Sequence, residues 1–121
     1  MRIIAGKMKG SKLYLPKTKN TRPLKDLTRE SIFNLLIHSN DILFKFKNSL
    51  ILDLFSGTGS FGLECLSREA QSVCFVEKEK NILQILRKNI EKIKMQNKTK
   101  IFSTDVVNFI KKRWYYCCSQ K

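Results

Sequence analysis

Residues 53–62 read Asp-Leu-Phe-Ser-Gly-Thr-Gly-Ser-Phe-Gly and directly follow the apolar run Leu-Ile-Leu at 50–52. An apolar strand that leads into an acid, a glycine turn and a helix is typical of a nucleotide-type pocket. Glycine lets the backbone approach a ligand closely and adopts positive φ without strain. A carboxylate from Asp53 at the pocket mouth attracts a cationic ligand. The order therefore favours S-adenosylmethionine, which carries an amine and a sulfonium, over a dinucleotide, whose pyrophosphate the carboxylate would repel.

Apolar strands alternate with helical segments from residue 48 onward. The predicted strands cover residues 50–54, 73–76 and 101–103, and the helices between them run from about 60 to 68 and from about 80 to 94. Such alternation predicts a parallel sheet with right-handed crossovers and places the chain in the α/β class. Three core strands are fewer than a complete domain of this type contains, so we expect an incomplete parallel sheet.

An acid stands at the end of each predicted strand, namely Asp53, Glu77 and Asp105. Because ligands of open α/β sheets bind at the carboxyl ends of the strands, we expect the three acids to share one site. Glu77 is predicted to accept hydrogen bonds from both ribose hydroxyls of an adenosine, and Asp105 from the adenine amino group. Asp53 is predicted to hold the amino-acid end of the ligand, directly or through the glycine turn. The alternative for any single acid is helix capping.

The glycines also match a dinucleotide pattern. Gly57, Gly59 and Gly62 have the spacing G-x-G-x-x-G, so a nicotinamide-dependent oxidoreductase stays open as an alternative. Two features argue against it. Asp53 stands in a strand end that is usually apolar in dinucleotide folds, and neither Phe61 nor the helix behind the turn offers a basic group to hold phosphate.

The charge of the chain points to a polyanionic partner. The 121 residues suit one small domain, and their formal net charge is +14. Nucleic acid is the first candidate, and a non-catalytic RNA-binding protein is therefore a second functional hypothesis. The alternative is a solvated lysine-rich surface.

The N-terminal part is predicted to form an extension of the sheet domain. Loose alternation around Gly6 and Gly10 predicts a β-hairpin, with Lys7, Lys9 and Lys12 near its tip. An amphipathic helix should follow over 26–37, with Leu27, Ile32, Leu35 and Leu36 at helical spacing. The predicted divisions are thus residues 1–47 for the extension, 48–110 for the cofactor-binding half and 111–121 for an atypical tail.

Location and metal binding are predicted from what the composition lacks. No hydrophobic stretch reaches membrane-spanning length and the N-terminus does not resemble a signal peptide, so a cytoplasmic location is expected. The four cysteines form no C-x-x-C pair and His38 is the single histidine, so no metal site is expected. Cys65 and Cys74 lie in apolar settings and are predicted to be buried thiols.

Several motifs of the chain occur together in one bacterial family. They are MRIIAGK at 1–7, Gly10, TRP at 21–23, RESIFNLL at 29–36, LDLFSGTG at 52–59, GLE at 62–64, LSR at 66–68 and VEK at 76–78. In this combination the chain resembles the RsmD-like methyltransferases, which modify a guanine N2 of small-subunit (16S) ribosomal RNA. The motifs span most of the chain, whereas the glycine motif alone is shared by many methyltransferases.

The resemblance implies a Rossmann-like methyltransferase fold with an N-terminal hairpin extension, and S-adenosylmethionine as the methyl donor. The implied cofactor-binding residues are Asp53, Phe55, Ser56, Gly57, Thr58, Gly59, Glu77 and Asp105. The implied partner is ribosomal RNA in the small ribosomal subunit, and a complete protein is expected to be monomeric. Contacts to RNA phosphates are expected from the basic hairpin and the segment after it, through Arg2, Lys7, Lys9, Lys12 and Arg22.

The chain departs from the family pattern at two places. Thr104 stands where the family has glycine. An Asp/Asn-Pro-Pro-aromatic motif, which orients the target amino group and stacks on the extruded base, is absent because Pro16 and Pro23 are the only prolines. We therefore expect a chain truncated before this motif and inactive alone. Residues 111–121, with three aromatics and two adjacent cysteines, are interpreted as a frameshifted or prematurely stopped reading. The alternative is an aromatic, basic RNA-binding tail.

Overall fold

The centre of the protein is a parallel sheet of three strands. In the computed structural model, which describes residues 1–17 and 26–112, the strands are β1 (Leu50–Asp53), β2 (Ser72–Glu77) and β3 (Thr99–Ser103), in the order β1-β2-β3. Both strand pairs are parallel. The α/β prediction is therefore confirmed, with strand ends that differ from the predicted ones by one or two residues. Arg22 and the tail residues 113–121 lie outside the described residues.

Four α-helices accompany the sheet in the part of the chain that the structure describes. They are α1 (Asp26–His38), α2 (Ser60–Ser67), α3 (Lys80–Lys92) and α4 (Val106–Lys112), and a short 3-10 turn at Gln96–Lys98 precedes β3. Among the described helices, none combines the length and the apolar character that crossing a membrane requires.

The middle strand β2 is buried on both faces, which explains its unbroken apolar run. Because side chains alternate along a strand, Val73 and Phe75 join the main core with residues of α2 and α3. Cys74 and Val76 point to the opposite face and pack with Phe109 of α4. Both Cys65 and Cys74 are buried free thiols, as predicted.

The N-terminal extension packs into the same core as the sheet, since Ile3 and Leu13 belong to the main hydrophobic cluster. Its antiparallel pairing is shorter than the predicted two-stranded hairpin and consists of a single bridge between Arg2 and Lys12. Lys12 consequently lies in an arm of the hairpin, opposite Arg2, and not near the tip. The reason is that neighbouring N–H groups bond elsewhere, since those of Ile4 and Ala5 donate to the carboxylate of Glu64 and that of Tyr14 donates to Asn89. We refer to residues 1–17 as the N-terminal arm.

Helix α1 has the predicted position but a different buried face. Leu27 and Leu35 are 75% and 63% exposed, whereas Phe33 and Arg29 are fully buried. The Phe33 ring stacks on Phe61 with 5.1 Å between centroids, which turns this side of α1 toward the core. The guanidinium of Arg29 is buried and donates to the carbonyl oxygens of Arg2 and Ser60. A buried arginine breaks the apolar periodicity on which the predicted face depended.

Candidate functional site

The three strand-end acids lie at one edge of the sheet. Asp53 is in register with Phe75 on β2, and Glu77 is in register with Ser103 on β3. Asp105 follows β3 after two residues. The fold thus brings the predicted acids to the carboxyl edge where ligands of parallel sheets bind.

The glycine turn between β1 and α2 is held to β2 by its own backbone. Both the N–H and the hydroxyl of Ser56 donate to the carbonyl of Val76, at 3.2 and 3.3 Å. Gly57 and Gly59 have positive φ of 54° and 93°. A Cβ on Gly59 would lie 2.6 Å from Cδ1 of Leu86, so a side chain there would collide with α3 as well as strain the backbone.

The third glycine of the G-x-G-x-x-G pattern serves packing. A Cβ on Gly62 would lie 2.3 Å from the ring of Phe75, which shows that α2 sits directly on the sheet at this position. Close helix–strand contact accounts for the glycine without any phosphate ligand. The third glycine has the same packing role in dinucleotide-binding folds, so Gly62 does not distinguish between the two ligand classes.

Glu77 joins the glycine turn to the start of α3. One carboxylate oxygen, Oε2, accepts the N–H of Gly57 at 3.0 Å. The other, Oε1, accepts the N–H groups of Lys78 at 2.9 Å and Glu79 at 3.0 Å. The contacts to Lys78 and Glu79 are those expected under the alternative that Glu77 caps the helix that follows. Oε2 retains one lone pair for a further donor, and the ribose contact stays a prediction.

Asp105 directly precedes α4 and, like Glu77, accepts hydrogen bonds near the start of the helix that follows it. Its Oδ1 accepts the N–H of Asn108 and its Oδ2 accepts the side-chain amide of the same residue, both at 2.8 Å. This arrangement caps the helix. Each carboxylate oxygen has a second lone pair, so the contact to an adenine amino group remains a prediction that these bonds do not obstruct.

Asp53 is the unusual member of the three. Its Oδ2 is buried and accepts no hydrogen bond from the described part of the chain. Burial raises the pKa of Asp53 from 3.8 to about 6, while the backbone N–H groups of Gly62 and Phe55 oppose the rise by less. A buried acceptor without a donor is costly, because Oδ2 has lost water and gained no partner among the described residues. A ligand that brings an N–H or a positive charge to this atom would remove that cost.

The remaining predicted turn residues differ in exposure. Phe55 is 82% exposed, whereas Thr58 is buried with its carbonyl accepting a hydrogen bond from Asn89 at 2.9 Å. An exposed aromatic ring next to Asp53 is free to contact a ligand. No cluster of three or more potential metal ligands occurs among residues 1–17 and 26–112.

Asn89 is a site residue that sequence reasoning missed. It is fully buried on α3, and its Nδ2 donates to the carbonyl oxygens of Thr58 and Tyr14 at 2.9 and 3.2 Å. Its Oδ1 accepts the N–H of Tyr14 at 2.7 Å. Asn89 thereby connects the glycine turn to the N-terminal arm. The signal that could have found it was a lone amide between Leu86 and Ile90 on the apolar face of the helix.

Glu64 is a second buried polar residue that sequence reasoning left without a role. Its carboxylate accepts the N–H groups of Ile4 at 2.9 Å and Ala5 at 3.0 Å, and it pairs with Nε of Arg68 at 3.1 Å. The hydroxyl of Ser67 adds a bond to the carbonyl of Ala5 at 2.6 Å. These contacts fasten the N-terminal arm to α2 and so fix where its basic side chains stand.

The predicted RNA-contacting residues of the arm are all exposed, namely Arg2, Lys7, Lys9 and Lys12. Lys7 and Lys9 lie in the turn, while Arg2 and Lys12 face each other across the bridge. Lys7 forms an exposed ion pair with Glu69 at 3.2 Å. Exposed pairs of this kind are weak, so Lys7 remains available to a phosphate.

Comparison with known proteins places this chain in a family. A family profile described as "Conserved hypothetical protein 95" matches residues 1–115. The chain belongs to this family. Among curated relatives of the Conserved hypothetical protein 95 family, "Ribosomal RNA small subunit methyltransferase D" of Buchnera aphidicola subsp. Baizongia pistaciae is 36% identical over 93% of this chain and 54% of its own length. The protein of the same name from Escherichia coli K12 is 33% identical over 91% and 52%.

Solved structures of similar proteins agree with the fold. "Putative methyltransferase yhhF" from Escherichia coli superimposes with a TM-score of 0.76 and 30% identity, covering 91% of this chain and 55% of that chain. A protein from Thermus thermophilus that is described as hypothetical gives a TM-score of 0.72 and 25% identity over 92% and 59%. The resemblance to RsmD-like methyltransferases is therefore confirmed at the level of family and Rossmann-like fold. The chain spans about half the length of the curated relatives it matches.

Proposed function

We propose that this chain forms the S-adenosylmethionine-binding part of a methyltransferase that acts on guanine N2 of 16S ribosomal RNA in the cytoplasm. The observation that carries the proposal is the buried Oδ2 of Asp53, which lacks a donor among the described residues at the strand edge beside the glycine turn. The names of the curated relatives support a ribosomal RNA substrate. The guanine N2 atom comes from the family resemblance.

The residues of the site suit a ligand with a cationic end and a nucleoside end. S-adenosylmethionine would supply an electrophilic methyl group on its sulfonium. Asp53 would bind the amino-acid end, since an ionised carboxylate attracts the amine and sulfonium charges. Glu77 and Asp105 each keep unused lone pairs for hydroxyl or amino donors of the nucleoside. Phe55 would shield the ligand from water at the site mouth.

The same observation argues against the nicotinamide alternative. A carboxylate at this position would meet the pyrophosphate of a dinucleotide and repel it. The non-catalytic RNA-binding hypothesis predicts RNA binding with strong salt dependence and no response to either cofactor.

Calorimetry and thermal unfolding with each cofactor separate these hypotheses. At about pH 7.5, S-adenosylmethionine should bind the 121-residue chain and raise its unfolding temperature by mass action, and NAD should do neither. Asp53→Asn should abolish the effect. Asp41→Asn, which neutralises an exposed carboxylate in the loop after α1, is the matched control and should leave binding unchanged. Stabilisation by NAD, or unchanged S-adenosylmethionine affinity in Asp53→Asn, would refute the proposal.

A further inference from the structure

An open groove of about 770 Å³ separates the end of the N-terminal arm from the exposed face of α3. Its lining combines the apolar side chains of Leu15 and Ile85 with an aromatic ring, two amides and four charged groups, namely Tyr14, Asn81, Gln84, Lys17, Lys88, Glu91 and Lys92. We call this surface the Tyr14 groove. The proposed cofactor site uses none of these residues, and Arg2, Lys7, Lys9 and Lys12, which are predicted from the sequence to contact RNA, are not part of the lining.

The polar side chains of α3 that line the groove lie on one face of the helix. Asn81, Gln84, Lys88 and Lys92 are spaced three or four residues apart and therefore share one face of the helix. Because α3 begins just after Glu77 at the carboxyl end of β2, the two amides lie nearer the candidate cofactor site than the two lysines do. The groove thus leads away from that site along the helix.

Tyr14 is positioned before any ligand arrives. Its backbone N–H and carbonyl both bond to the side chain of Asn89, at 2.7 and 3.2 Å. Its side chain is half exposed, and Nζ of Lys92 lies 4.9 Å from the ring centroid. A half-exposed aromatic ring on a backbone that is already held in place is the kind of platform on which proteins stack unpaired bases.

We propose that the Tyr14 groove binds a single-stranded segment of RNA. A base stacks on Tyr14, Asn81 and Gln84 bond to base edges, and Lys17, Lys88 and Lys92 neutralise phosphates. Double-stranded RNA does not suit this groove, because its bases are already stacked on one another and cannot stack on Tyr14. This inference rests on the proposed function only for the partner being RNA, and it is independent of cofactor binding and of methyl transfer.

The side chains between the charges separate RNA from the competing partner, an acidic peptide. Three lysines face one glutamate, Glu91, in the lining, which suits either polyanion. Tyr14, Asn81 and Gln84 decide for RNA, since a flat ring beside amide donors and acceptors matches a base, and carboxylates need neither.

Fluorescence anisotropy with a labelled twelve-nucleotide oligouridylate and a twelve-base-pair RNA duplex tests the groove. We expect the full chain to prefer the single strand. Tyr14→Leu, which keeps the backbone bonds to Asn89, should weaken oligouridylate binding about tenfold, as expected when one base loses its stacking partner. Lys88→Gln with Lys92→Gln should lower the slope of log K against log salt by about 1.4, or about 0.7 per phosphate contact.

The matched control is Lys98→Gln with Lys100→Gln, two exposed lysines outside the groove, which should change the slope by less than half as much. Equal behaviour of groove and control variants would overturn the proposal. So would binding of labelled deca-glutamate that depends on Tyr14 and Lys88 while oligouridylate binding does not.

Calorimetry with S-adenosylmethionine on each variant keeps the two proposals distinguishable, because groove variants should retain cofactor affinity. Oligouridylate binding that depends on the groove, without cofactor binding, would support this inference and refute the proposed function.

Discussion

Oε2 of Glu77 accepts the backbone N–H of Gly57 at 3.0 Å, although twenty residues separate them. The same carboxylate accepts two N–H groups at the start of α3. One side chain therefore ties the glycine turn of the first β-α unit to the helix of the second, so the shape of the candidate site depends on the two acceptor oxygens of Glu77.

Glu77→Gln should weaken both the fold and cofactor binding. A glutamine has a single acceptor oxygen, so its amide NH₂ would face either Gly57 or the start of α3 and leave N–H groups unmatched. We expect a loss of about 1–2 kcal/mol in the free energy of unfolding, measured by urea denaturation. S-adenosylmethionine affinity should fall in parallel. Glu91→Gln, on the exposed face of α3, should change neither, and an effect as large in Glu91→Gln would contradict the assignment.

The pH dependence of stability should carry the signature of Asp53. Its pKa is about 6 in the folded protein and 3.8 ordinarily, so the folded state binds the proton more tightly. The resulting stabilisation is complete below about pH 3.8 and is lost as the pH rises through about 6, an effect on the order of 3 kcal/mol. Urea midpoints from about pH 8 to pH 5 should therefore rise more for the wild-type chain than for Asp53→Asn.

Cofactor affinity should move in the opposite direction. Only the ionised carboxylate attracts a cationic ligand, so S-adenosylmethionine binding should weaken as the pH falls below about 6. At about pH 8, Asp53→Asn should be more stable than the wild-type chain while binding less cofactor, since a buried charge has been removed. Calorimetry at three pH values is the measurement, and an affinity independent of pH would argue that Asp53 does not contact the ligand.

Asn89→Ala should loosen the N-terminal arm and the glycine turn together. It removes three hydrogen bonds and leaves buried groups of Tyr14 and Thr58 without a partner, which should lower the free energy of unfolding by about 2–4 kcal/mol. Hydrogen exchange at the Tyr14 amide should accelerate more than exchange in β2. Asn97→Ala, an exposed amide in the 3-10 turn, is the control. Unchanged exchange at Tyr14 would count against the connection.

The 121-residue chain alone should transfer no methyl group to ribosomal RNA. Its only prolines are Pro16 and Pro23, so it has no Asp/Asn-Pro-Pro-aromatic motif to orient a target amine and stack its base. The measurement is incorporation of tritiated methyl from S-adenosylmethionine into small ribosomal subunits that lack the modification. Incorporation above that of the Asp53→Asn variant would show that these residues suffice.

The parts of the fold that were predictable are those written in local sequence. Strand β2 appears as a short apolar run that ends in Glu77, and the acids Asp53 and Asp105 end the neighbouring strands, so the parallel sheet and its acidic edge follow from order alone. The amphipathic pattern likewise placed α3 to within two residues at its end.

Long-range polar contacts were not predictable for a physical reason. Glu64 and Asn89 find their partners in the N-terminal arm 59 to 75 residues away, at positions that no local pattern connects. The prediction of which face of α1 is buried was wrong for the same reason. The hydrogen bonds of Arg29 to the carbonyl oxygens of Arg2 and Ser60 allow a guanidinium to occupy the core.

The bonds of Ile4 and Ala5 to Glu64 also impose an order in time. During synthesis the first residues leave the ribosome well before α2 exists, so the N-terminal arm has no acceptor for its backbone until about sixty further residues have been added. Its docking is a late, non-local step, and contacts of this sequence separation are the ones that slow folding. The oldest end of the nascent chain therefore cannot reach its final place until α2, and for Tyr14 also α3, has been made.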